Sequence, residues 1–584
     1  MEQTKTITLK INNRAVSAPE GVTILEAAKL AGYNIPTLCY LKGVCNDTNC
    51  RVCVVEVKGA KNLVAACSTA AADGMEVLTN TPKVRASRKM TIELILSDHK
   101  RECLSCNRSR HCELQKLSRD YHCDEDAYKG EAKSFAVEDS SFIVRDNSKC
   151  VLCRRCVSVC HDVQGIGVIG TNGRGFSTHI GCAFDRKLNE VPCVACGQCV
   201  AVCPVGALIG KSAIDRVMEY LADPELYIIA GTAPAVRVAL GESFGFRVGT
   251  DVEGKMVTAL RLLGFNKVFD VNMAADLTVM EESAEFLERL SGKDAALPML
   301  TSCSPGWVRF MELYYPDQLD HLSTCKSPQQ MFGAVMKTYY AEKMKLDPAK
   351  IRVVTVMPCI AKKYEATRER QSASGFPDID AVLTTRELAR IIKSSGIDFN
   401  DLKDEKFDDP LGGSSTAGLI FGATGGVAEA ALRTLAEKIT GEPLDNDSIE
   451  FTAVRGSKGI KSASLNLGGN DITVCIASGL GNARKIMDEV KAGKSPYYFI
   501  EIMACPGGCV KGGGQPQRPA LVQNQIDIRV TRAATLYSKD KKSKLRKSHE
   551  NPVIKTLYAD FFGSPGSAKA HKILHTGYTE RDKY

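Results

Sequence analysis

Alternating polar and apolar residues predict a small α/β module at the start of the chain. Thr6–Ile11 has the period of a half-buried strand, and Asn12 and Asn13 form a turn after it. Thr23–Gly32 has helical spacing and ends at a glycine, which favours a short helix. A loop rich in cysteine follows these elements.

After about residue 213 the pattern changes, because short apolar runs alternate there with longer helical segments. Short strands separated by helices are typical of parallel α/β units. The clearest predicted strands are Tyr227–Ala230, Arg352–Met357 and Asp471–Ala477. In such folds the catalytic and ligand-binding residues usually lie on loops at the ends of strands.

Composition narrows the class of protein. A chain of 584 residues with 44% hydrophobic residues has room for three or four domains. Apolar runs such as Leu226–Ala230 are too short to span a bilayer, and the N-terminal segment has no hydrophobic signal core. We therefore expect a cytoplasmic protein without a membrane partner. The net charge of +8 is modest, and no interleaving of basic and aromatic residues argues for nucleic acid.

The 24 cysteines are unevenly distributed, with 18 between Cys39 and Cys203 and six beyond. In a chain without a leader, such clustering favours metal binding over disulfides. Cys39, Cys50, Cys53 and Cys67 suit a [2Fe–2S] cluster, with a structural zinc site as the rival interpretation. We interpret Cys45 in the same loop as a bystander.

A second group consists of His99, Cys103, Cys106 and Cys112, with a predicted helix, Met90–His99, just before it. Imidazole binds iron as well as zinc, so spacing alone leaves both metals open.

The strongest spacing signal is a duplication. Four cysteines spaced x2, x2 and x3 recur 43 residues later, which is the pattern of two-cluster bacterial ferredoxins. In that pattern the fourth cysteine of each run binds the other cluster. One [4Fe–4S] cluster is thus assigned to Cys150, Cys153, Cys156 and Cys203, and the other to Cys160, Cys193, Cys196 and Cys199.

Three cysteine loops lie far apart in the second half. They are Thr301–Trp307 (TSCSPGW), Met357–Glu365 (MPCIAKKYE) and Glu501–Pro516 (EIMACPGGCVKGGGQP). The second directly follows a predicted strand, and we expect the other two to follow strands as well. These loops resemble the three signature motifs of [FeFe]-hydrogenases, whose H-cluster joins a [4Fe–4S] cubane to a diiron unit with CO and CN⁻ ligands. The first group of cysteines resembles plant-type ferredoxin. The second resembles the His-plus-three-Cys [4Fe–4S] module of these hydrogenases and of respiratory NADH dehydrogenase.

The resemblance implies a role for individual residues. It makes Cys359, Cys505 and Cys509 ligands of the cubane, and Lys362 a donor to a cyanide ligand. Met357, Met503 and Phe421 match residues that surround the diiron unit. The family's proton path is matched by Glu282, Glu285, Arg289, Ser323 and Cys303. Glu282 and Glu285 are three residues apart, so they share a helix face.

One position departs from the family motif TSCCPxW, because Ser304 replaces its second cysteine. By the motif, Cys303 is the proton relay and Ser304 takes the cubane-ligand position, although an alkoxide is a poorer ligand than a thiolate. Alternatively, the loop shifts and Cys303 becomes the ligand. The sequence does not decide between these two registers.

The resemblance thus implies an oxygen-sensitive [FeFe]-hydrogenase that catalyses 2H⁺ + 2e⁻ ⇌ H2. The segment Gly74–Pro82 and the helix after it resemble the catalytic subunit of multimeric NADH-linked, electron-bifurcating hydrogenases. We expect a multidomain α/β and α+β chain, with ferredoxin-like iron–sulfur modules at 1–81, 82–141 and 142–212 before a catalytic domain at 213–584. Expected cofactors are one [2Fe–2S] cluster, three accessory [4Fe–4S] clusters and the H-cluster. Expected partners are ferredoxin or NADH-oxidising flavoprotein subunits, and maturation proteins for the diiron unit. The alternatives are a monomeric ferredoxin-dependent hydrogenase and a redox-sensing or electron-transfer protein without turnover.

Overall fold

A five-stranded sheet and one helix form the N-terminal module. The computed structural model describes residues 5–128, 131–292, 296–445, 449–467 and 469–583. The sheet has the order β2-β1-β5-β3-β4, and Thr23 caps the helix by accepting a hydrogen bond from the backbone of Glu26. The elements are β1 (Thr6–Ile11), β2 (Arg14–Pro19), α1 (Ile24–Leu30), β3 (Val54–Val57), β4 (Val64–Ala65) and β5 (Glu76–Leu78).

The middle of the chain consists of short elements around the cysteine groups. Both cysteine runs use the same turn, because Leu152 and Arg154 in the first run, and Ala195 and Gly197 in the second, all have positive φ. The elements are α2 (Pro82–Ser97), α3 (Glu113–Asp120), β6 (Ile143–Arg145), α4 (Arg155–Ser158), β7 (Gly170–Asn172), β8 (His179–Gly181), α5 (Gln198–Val202) and β9 (Leu208–Gly210). The helix predicted up to His99 ends at Ser97, so His99 lies in the loop that follows.

Two four-stranded sheets form the frame of the large domain. The first, with the order β11-β10-β13-β14, is entirely parallel. In the second, with the order β12-β17-β16-β15, β15 alone is antiparallel to its neighbour. The strands are β10 (Tyr227–Thr232), β11 (Lys267–Asp270), β12 (Met299–Leu300), β13 (Ile351–Met357), β14 (Ala381–Thr384), β15 (Ile460–Leu467), β16 (Asn470–Ser478) and β17 (Phe499–Met503). The predicted α/β class is confirmed, while the hairpin of β15 and β16 was not predicted.

Fifteen described α-helices cover these sheets and connect their strands. They are α6 (Ile214–Ala222), α7 (Glu253–Leu262), α8 (Asn272–Ser291), α9 (Pro305–Tyr314), α10 (Pro328–Val335), α11 (Ala341–Met344), α12 (Ala361–Glu365), α13 (Thr385–Ser394), α14 (Thr416–Ile420), α15 (Gly426–Thr440), α16 (Leu480–Lys491), α17 (Ala520–Gln523), α18 (Ile528–Lys542), α19 (Pro552–Leu557) and α20 (Ala568–Leu574). Among the described residues, no helix has both the length and the apolar character needed to cross a membrane.

The three cysteine loops follow the ends of β12, β13 and β17. They were predicted to follow strands, and this placement is confirmed. Because β12 and β17 belong to one sheet and β13 to the other, loops from both sheets meet at one cavity. The first loop is fixed by Trp307, which is fully buried and donates from Nε1 to the Thr301 carbonyl at 3.0 Å.

Candidate functional site

The first cysteine group converges inside the N-terminal module. Cys53 and Cys67 have their Sγ atoms 3.4 Å apart, and a hydrogen bond from Cys39 lowers the pKa of Cys50 to about 6. In each of the two thiol pairs the pKa of one cysteine is lowered, at Cys50 and Cys53, and that of its hydrogen-bonding partner is raised. Four thiols in such close contact suit a shared metal site. Cys45 instead points its Sγ at the Cys153 carbonyl, 3.7 Å away.

The second group lies between α2 and α3. Burial lowers the pKa of His99, which favours the neutral imidazole that binds metal. Its Nδ1 atom is buried and has no hydrogen-bond partner among the described residues. Cys112 caps α3, and Cys106 lies close to Gly206, where an added Cβ would be 2.6 Å from Sγ. A buried ring nitrogen without a hydrogen-bond partner fits a metal ligand.

The duplicated cysteine runs exchange their fourth members. Burial and the charges of Cys153, Cys150 and Cys203 raise the pKa of Cys156 well above its usual range. A cavity in the described residues is lined by these four cysteines. The crossed arrangement expected of two-cluster ferredoxins is therefore present in the geometry.

The second run forms the complementary group. Burial raises the pKa of Cys199, and the charges of Cys196, Cys193 and Cys160 raise it further. Cys160 thus lies with the later run, although it belongs to the earlier one in sequence.

A buried ion pair connects the three N-terminal modules. Arg155 is 1% exposed and donates from Nη1 and Nη2 to the carboxylate of Glu113 at 2.9 and 3.0 Å. It also donates to the carbonyls of Cys39 and Tyr40, both at 3.2 Å. Because Glu113 follows Cys112 and Arg155 precedes Cys156, one side chain fixes three cysteine groups relative to each other.

The cavity between the two sheets of the large domain collects residues from all three loops. Apolar walls and a few polar groups surround it, which is typical of a cofactor site. Its lining includes Cys303, Ser304, Met357, Cys359, Lys362, Phe421, Met503, Cys505 and Cys509.

The cavity cysteines fit a cubane. Burial raises the pKa of Cys505 well above its usual range, and Cys359 and Cys509 raise it further, so the three thiols are near neighbours. Iron would remove the cost of burying their thiolates. The backbone is closely packed at Gly508, where φ is +89° and an added Cβ would lie 2.6 Å from the Thr424 nitrogen.

One contact joins the duplicated module to this cavity. Gln198, at the start of α5, donates from Nε2 to the Cys505 Sγ atom at 3.1 Å. The charge of Cys196 also raises the pKa of Cys505. The Cys160/Cys193/Cys196/Cys199 group is thus the one adjacent to the cavity.

Lys362 is held by four oxygen atoms on the cavity wall. Its Nζ atom donates to both carboxylate oxygens of Glu365 at 3.0 and 2.9 Å, to Ser327 Oγ at 2.7 Å and to the Cys303 carbonyl at 3.1 Å. Gln329 and Ser327 donate to the same carboxylate. A fixed buried ammonium is suited to an anionic ligand.

Cys303 and Ser304 point to different neighbours. Cys303 packs on the apolar cluster that contains Phe421 and Met503, and burial together with the Glu282 charge raises its pKa well above the usual range. Ser304 Oγ accepts a hydrogen bond from the Ala504 backbone at 3.3 Å, next to Cys505.

The two carboxylates predicted for the proton path lie on one side of α8. Burial and the charge of Glu285 raise the pKa of Glu282 to about 8, while the Ser302 backbone and the Ser323 hydroxyl beside its carboxyl oppose the rise. Glu285 accepts from Ser323 Oγ at 2.8 Å and from Arg289 Nη2 at 2.7 Å. Since its side chain is 10% exposed, Glu285 reaches solvent while Glu282 does not.

Sequence reasoning assigned no role to several residues of this site. Glu365 and Ser327 fix Lys362, and Gln198 contacts Cys505. Glu365 has a local signal, because it follows Lys362 by three residues and so shares its helix face. Gln198 has no such signal, because its partner lies 307 residues away.

Comparisons with known proteins agree with this geometry. Residues 226–513 match the protein family "Iron only hydrogenase large subunit, C-terminal domain". Residues 526–581 match the family "Iron hydrogenase small subunit". A 2Fe-2S iron-sulfur cluster binding domain matches 4–82. The NADH-ubiquinone oxidoreductase-G iron-sulfur binding region matches 88–126, and the ferredoxin-like domain of NADH-quinone oxidoreductase subunit 3 matches 140–209.

Full-length relatives identify the family. The chain is 49% identical to the NADP-reducing hydrogenase subunit HndD of Solidesulfovibrio fructosivorans, over 99% of both chains. It is 43% identical to iron hydrogenase 1 of Clostridium pasteurianum, over 98% of this chain and 99% of that one. The solved structure of an apo [FeFe]-hydrogenase from Chlamydomonas reinhardtii covers 63% of this chain and 99% of its own, with 39% identity and a TM-score of 0.57.

The fold and the cysteine groups define an iron–sulfur oxidoreductase with a cofactor cavity between two sheets. The chain belongs to the [FeFe]-hydrogenase family, whose members act on H2. It carries [2Fe–2S], [4Fe–4S] and H-cluster domains.

Proposed function

We propose that this chain is the catalytic subunit of an NADH- or NADPH-linked hydrogenase complex and interconverts 2H⁺ + 2e⁻ and H2. The observation that carries the proposal is the shared cavity, in which three cysteines, Cys303 and Lys362 meet. Cysteine groups approach it from one side, and the carboxylates of α8 lie near Cys303 on another.

The proposed domains run from 1 to 81, 82 to 141, 142 to 212 and 213 to 584. They are supported by the start of α2 at Pro82 and of α6 at Ile214. In this assignment the first three domains hold one [2Fe–2S] and three [4Fe–4S] clusters, on the cysteine groups described above and His99.

The fourth domain holds the H-cluster in its cavity. Cys359, Cys505 and Cys509 are proposed to bind the cubane, with Ser304 at the fourth position. When bound, the cluster supplies electrons and an open iron position. The chain's contribution is to exclude water with Met357, Met503 and Phe421, and to present the Lys362 ammonium to an anionic ligand.

Protons are proposed to pass from Glu285 through Ser323 and Glu282 to Cys303. Glu285 contacts solvent and Arg289, and it accepts from Ser323 at 2.8 Å. The raised pKa of Glu282 keeps its carboxyl protonated near neutral pH, so it is able to donate. Cys303 carries the last exchangeable proton before the cavity.

The complex is supported by the 49% identity to a relative named as a subunit of a NADP-reducing hydrogenase. The partners would be NAD(P)H-oxidising flavoprotein subunits, with ferredoxin as a further donor, and maturation proteins would supply the diiron unit. A cytoplasmic location is part of this proposal.

Affinity purification from the native host tests the complex. We expect flavin-containing subunits to co-purify and NADH or NADPH to support H2 formation in the purified assembly. A chain that purifies alone and takes electrons from ferredoxin with no nicotinamide-linked activity would favour the monomeric alternative.

A further inference from the structure

A cysteine, a histidine and a glutamate converge beside the proposed proton route. The ligand atoms of Glu285, Cys325 and His575 all lie within 4.8 Å of one another. The Cys325 Sγ atom is 3.6 Å from Glu285 Oε2 and 4.0 Å from His575 Nδ1. These separations are close to those between neighbouring ligands around a tetrahedral zinc ion, roughly 3.3 to 3.8 Å from the usual metal–ligand bond lengths.

The histidine is already oriented as metal-binding histidines are. Its other ring nitrogen, Nε2, lies 3.1 Å from Glu281 Oε2, and a carboxylate on that side fixes the ring and makes Nδ1 a better ligand. Glu281 is itself held by the Tyr558 hydroxyl and by the Gly566 backbone. Nδ1 contacts the Thr324 hydroxyl at 2.8 Å.

The charge around Cys325 favours a cation. Burial raises the pKa of this thiol well above its usual range, and the negative charges of Glu285 and Glu281 raise it further. Arg289 pairs with Glu285 through Oε1, while Oε2 faces the thiol and also accepts from Ser323 Oγ and the Thr324 backbone. A soft thiolate with one imidazole and one carboxylate selects zinc-like ions over magnesium or calcium.

Two of the three ligands lie close to the protein surface. Glu285 is 10% exposed, and the ring of His575 lies 4.1 Å from that of His571, which is at the surface.

We propose that Glu285, Cys325 and His575 form an inhibitory site for a thiophilic divalent cation of the Zn²⁺ or Cd²⁺ class. Binding releases the Cys325 thiol proton to solvent and leaves the His575 proton on Nε2, facing Glu281. The ion takes Glu285 Oε2, which is the oxygen that accepts from Ser323. The inhibition, but not the binding, rests on the proposed proton route.

Zinc binding to the matured enzyme tests the site directly. Bound zinc is counted after dialysis against buffered Zn²⁺, in the unaltered chain and in Cys325→Ala and His575→Gln. We expect each variant to lose about tenfold or more in affinity for one zinc ion, and X-ray absorption at the zinc edge to lose its sulfur neighbour in Cys325→Ala. Unchanged affinity in both variants would overturn the proposal.

Two control variants separate this site from other zinc-binding groups. Cys475→Ala removes a buried thiol from β16, and His549→Gln disrupts the other described cluster of possible ligands, Glu437, His549 and Glu550. Both should keep the affinity of the unaltered chain. A loss in these controls equal to that in Cys325→Ala would show non-specific binding and contradict the site.

Turnover in the same samples tests the inhibition. Each H2-evolution rate is divided by that variant's own metal-free rate, so effects of the substitution itself cancel. We expect zinc to inhibit the unaltered chain reversibly, with EDTA restoring the rate, and to inhibit Cys325→Ala only at about tenfold higher concentration. Zinc that binds at the three ligands without inhibiting would retain the site and contradict the proton route through Glu285.

Discussion

At the scale of single residues, Glu282 decides whether the proposed proton route can operate. Its carboxyl is 1% exposed and lies beside the Ser302 backbone and the Ser323 hydroxyl. Burial, followed by the charge of Glu285, raises its pKa from 4.5 to about 8. A carboxyl poised near the working pH is able both to give and to accept a proton.

The ionisation of Glu282 can be followed by infrared spectroscopy. We expect a protonated-carboxyl band that disappears as the pH rises through about 8 and is absent in Glu282→Gln. Because the folded pKa lies above the unfolded one, the contribution of this group to stability is present below pH 4.5 and is lost as the pH rises through about 8. A band that titrates near 4.5 would contradict the assignment.

Turnover of the same variant is a separate prediction. Glu282→Gln preserves the shape of the side chain but removes its titratable proton, so H2 evolution should fall by a factor of about 10² or more. The CO and CN⁻ infrared bands should remain, since Glu282 contacts none of the proposed ligands of the cluster. Near-normal turnover with intact bands would remove Glu282 from the route.

Two variants test the role of Ser304, which replaces the second cysteine of the family motif. With Cys303 as relay, Cys303→Ala should leave the cubane assembled but block proton delivery, because alanine has no exchangeable proton. Ser304→Cys should strengthen cubane binding, because a thiolate is the softer ligand. The packing of Cys303 on the Phe421 and Met503 cluster, and of Ser304 beside Ala504, supports this register.

Cubane EPR and infrared spectra of the two variants distinguish the registers. Loss of the cubane in Cys303→Ala, with no gain in Ser304→Cys, would show that the loop is shifted and that Cys303 is the ligand.

At the scale of elements, the loop after β17 depends on a glycine. Gly508 has φ of +89°, and a Cβ there would meet the Thr424 nitrogen at 2.6 Å and the Ala423 carbonyl carbon at 2.9 Å. Both obstacles are backbone atoms that cannot rotate away. Gly508→Ala should therefore displace Cys505 and Cys509 and abolish the cubane EPR signal, while the accessory clusters remain.

Gly563→Ala is the matched control for this prediction. Gly563 also has a positive φ, +82°, but an added Cβ would meet nothing within 4 Å. Gly563→Ala should lower the free energy of unfolding by about 1–2 kcal/mol through backbone strain, and it should leave the cubane intact. If both variants keep the cubane equally well, close packing around Gly508 does not shape the site.

The elements also show what the sequence could predict. β1 matches its predicted range, and β10, β13 and β16 extend their predicted cores by one or two residues, because apolar periodicity is a local property. Cysteine spacing is local too. It correctly predicted that Cys203 lies with the first cysteine run and Cys160 with the second. The Arg155–Glu113 pair and the contact of Gln198 with Cys505 were not predictable, because each joins residues that only the tertiary fold brings together.

For the second cysteine group, too, local sequence did not determine the site. Its spacing left iron and zinc open, and only the family resemblance favoured iron. The position of His575 beside Cys325 was beyond prediction, since 250 residues separate the two in the chain.

At the scale of the whole molecule, the account predicts a specific iron content. One [2Fe–2S] cluster, three accessory [4Fe–4S] clusters, the cubane and the diiron unit require about 20 iron atoms per matured chain. Iron analysis together with EPR of the reduced protein measures this. A content that fits two clusters would contradict the modular assignment of the cysteines.

The proposed hydrogenase activity is tested most directly by turnover of the matured protein. H2 evolution from reduced viologen and H2 oxidation are measured anaerobically in a sample whose infrared spectrum shows the CO and CN⁻ bands of the diiron unit. The account predicts turnover in both directions. A sample with full iron content and intact bands that neither forms nor oxidises H2 would contradict it, and would favour a redox-sensing role.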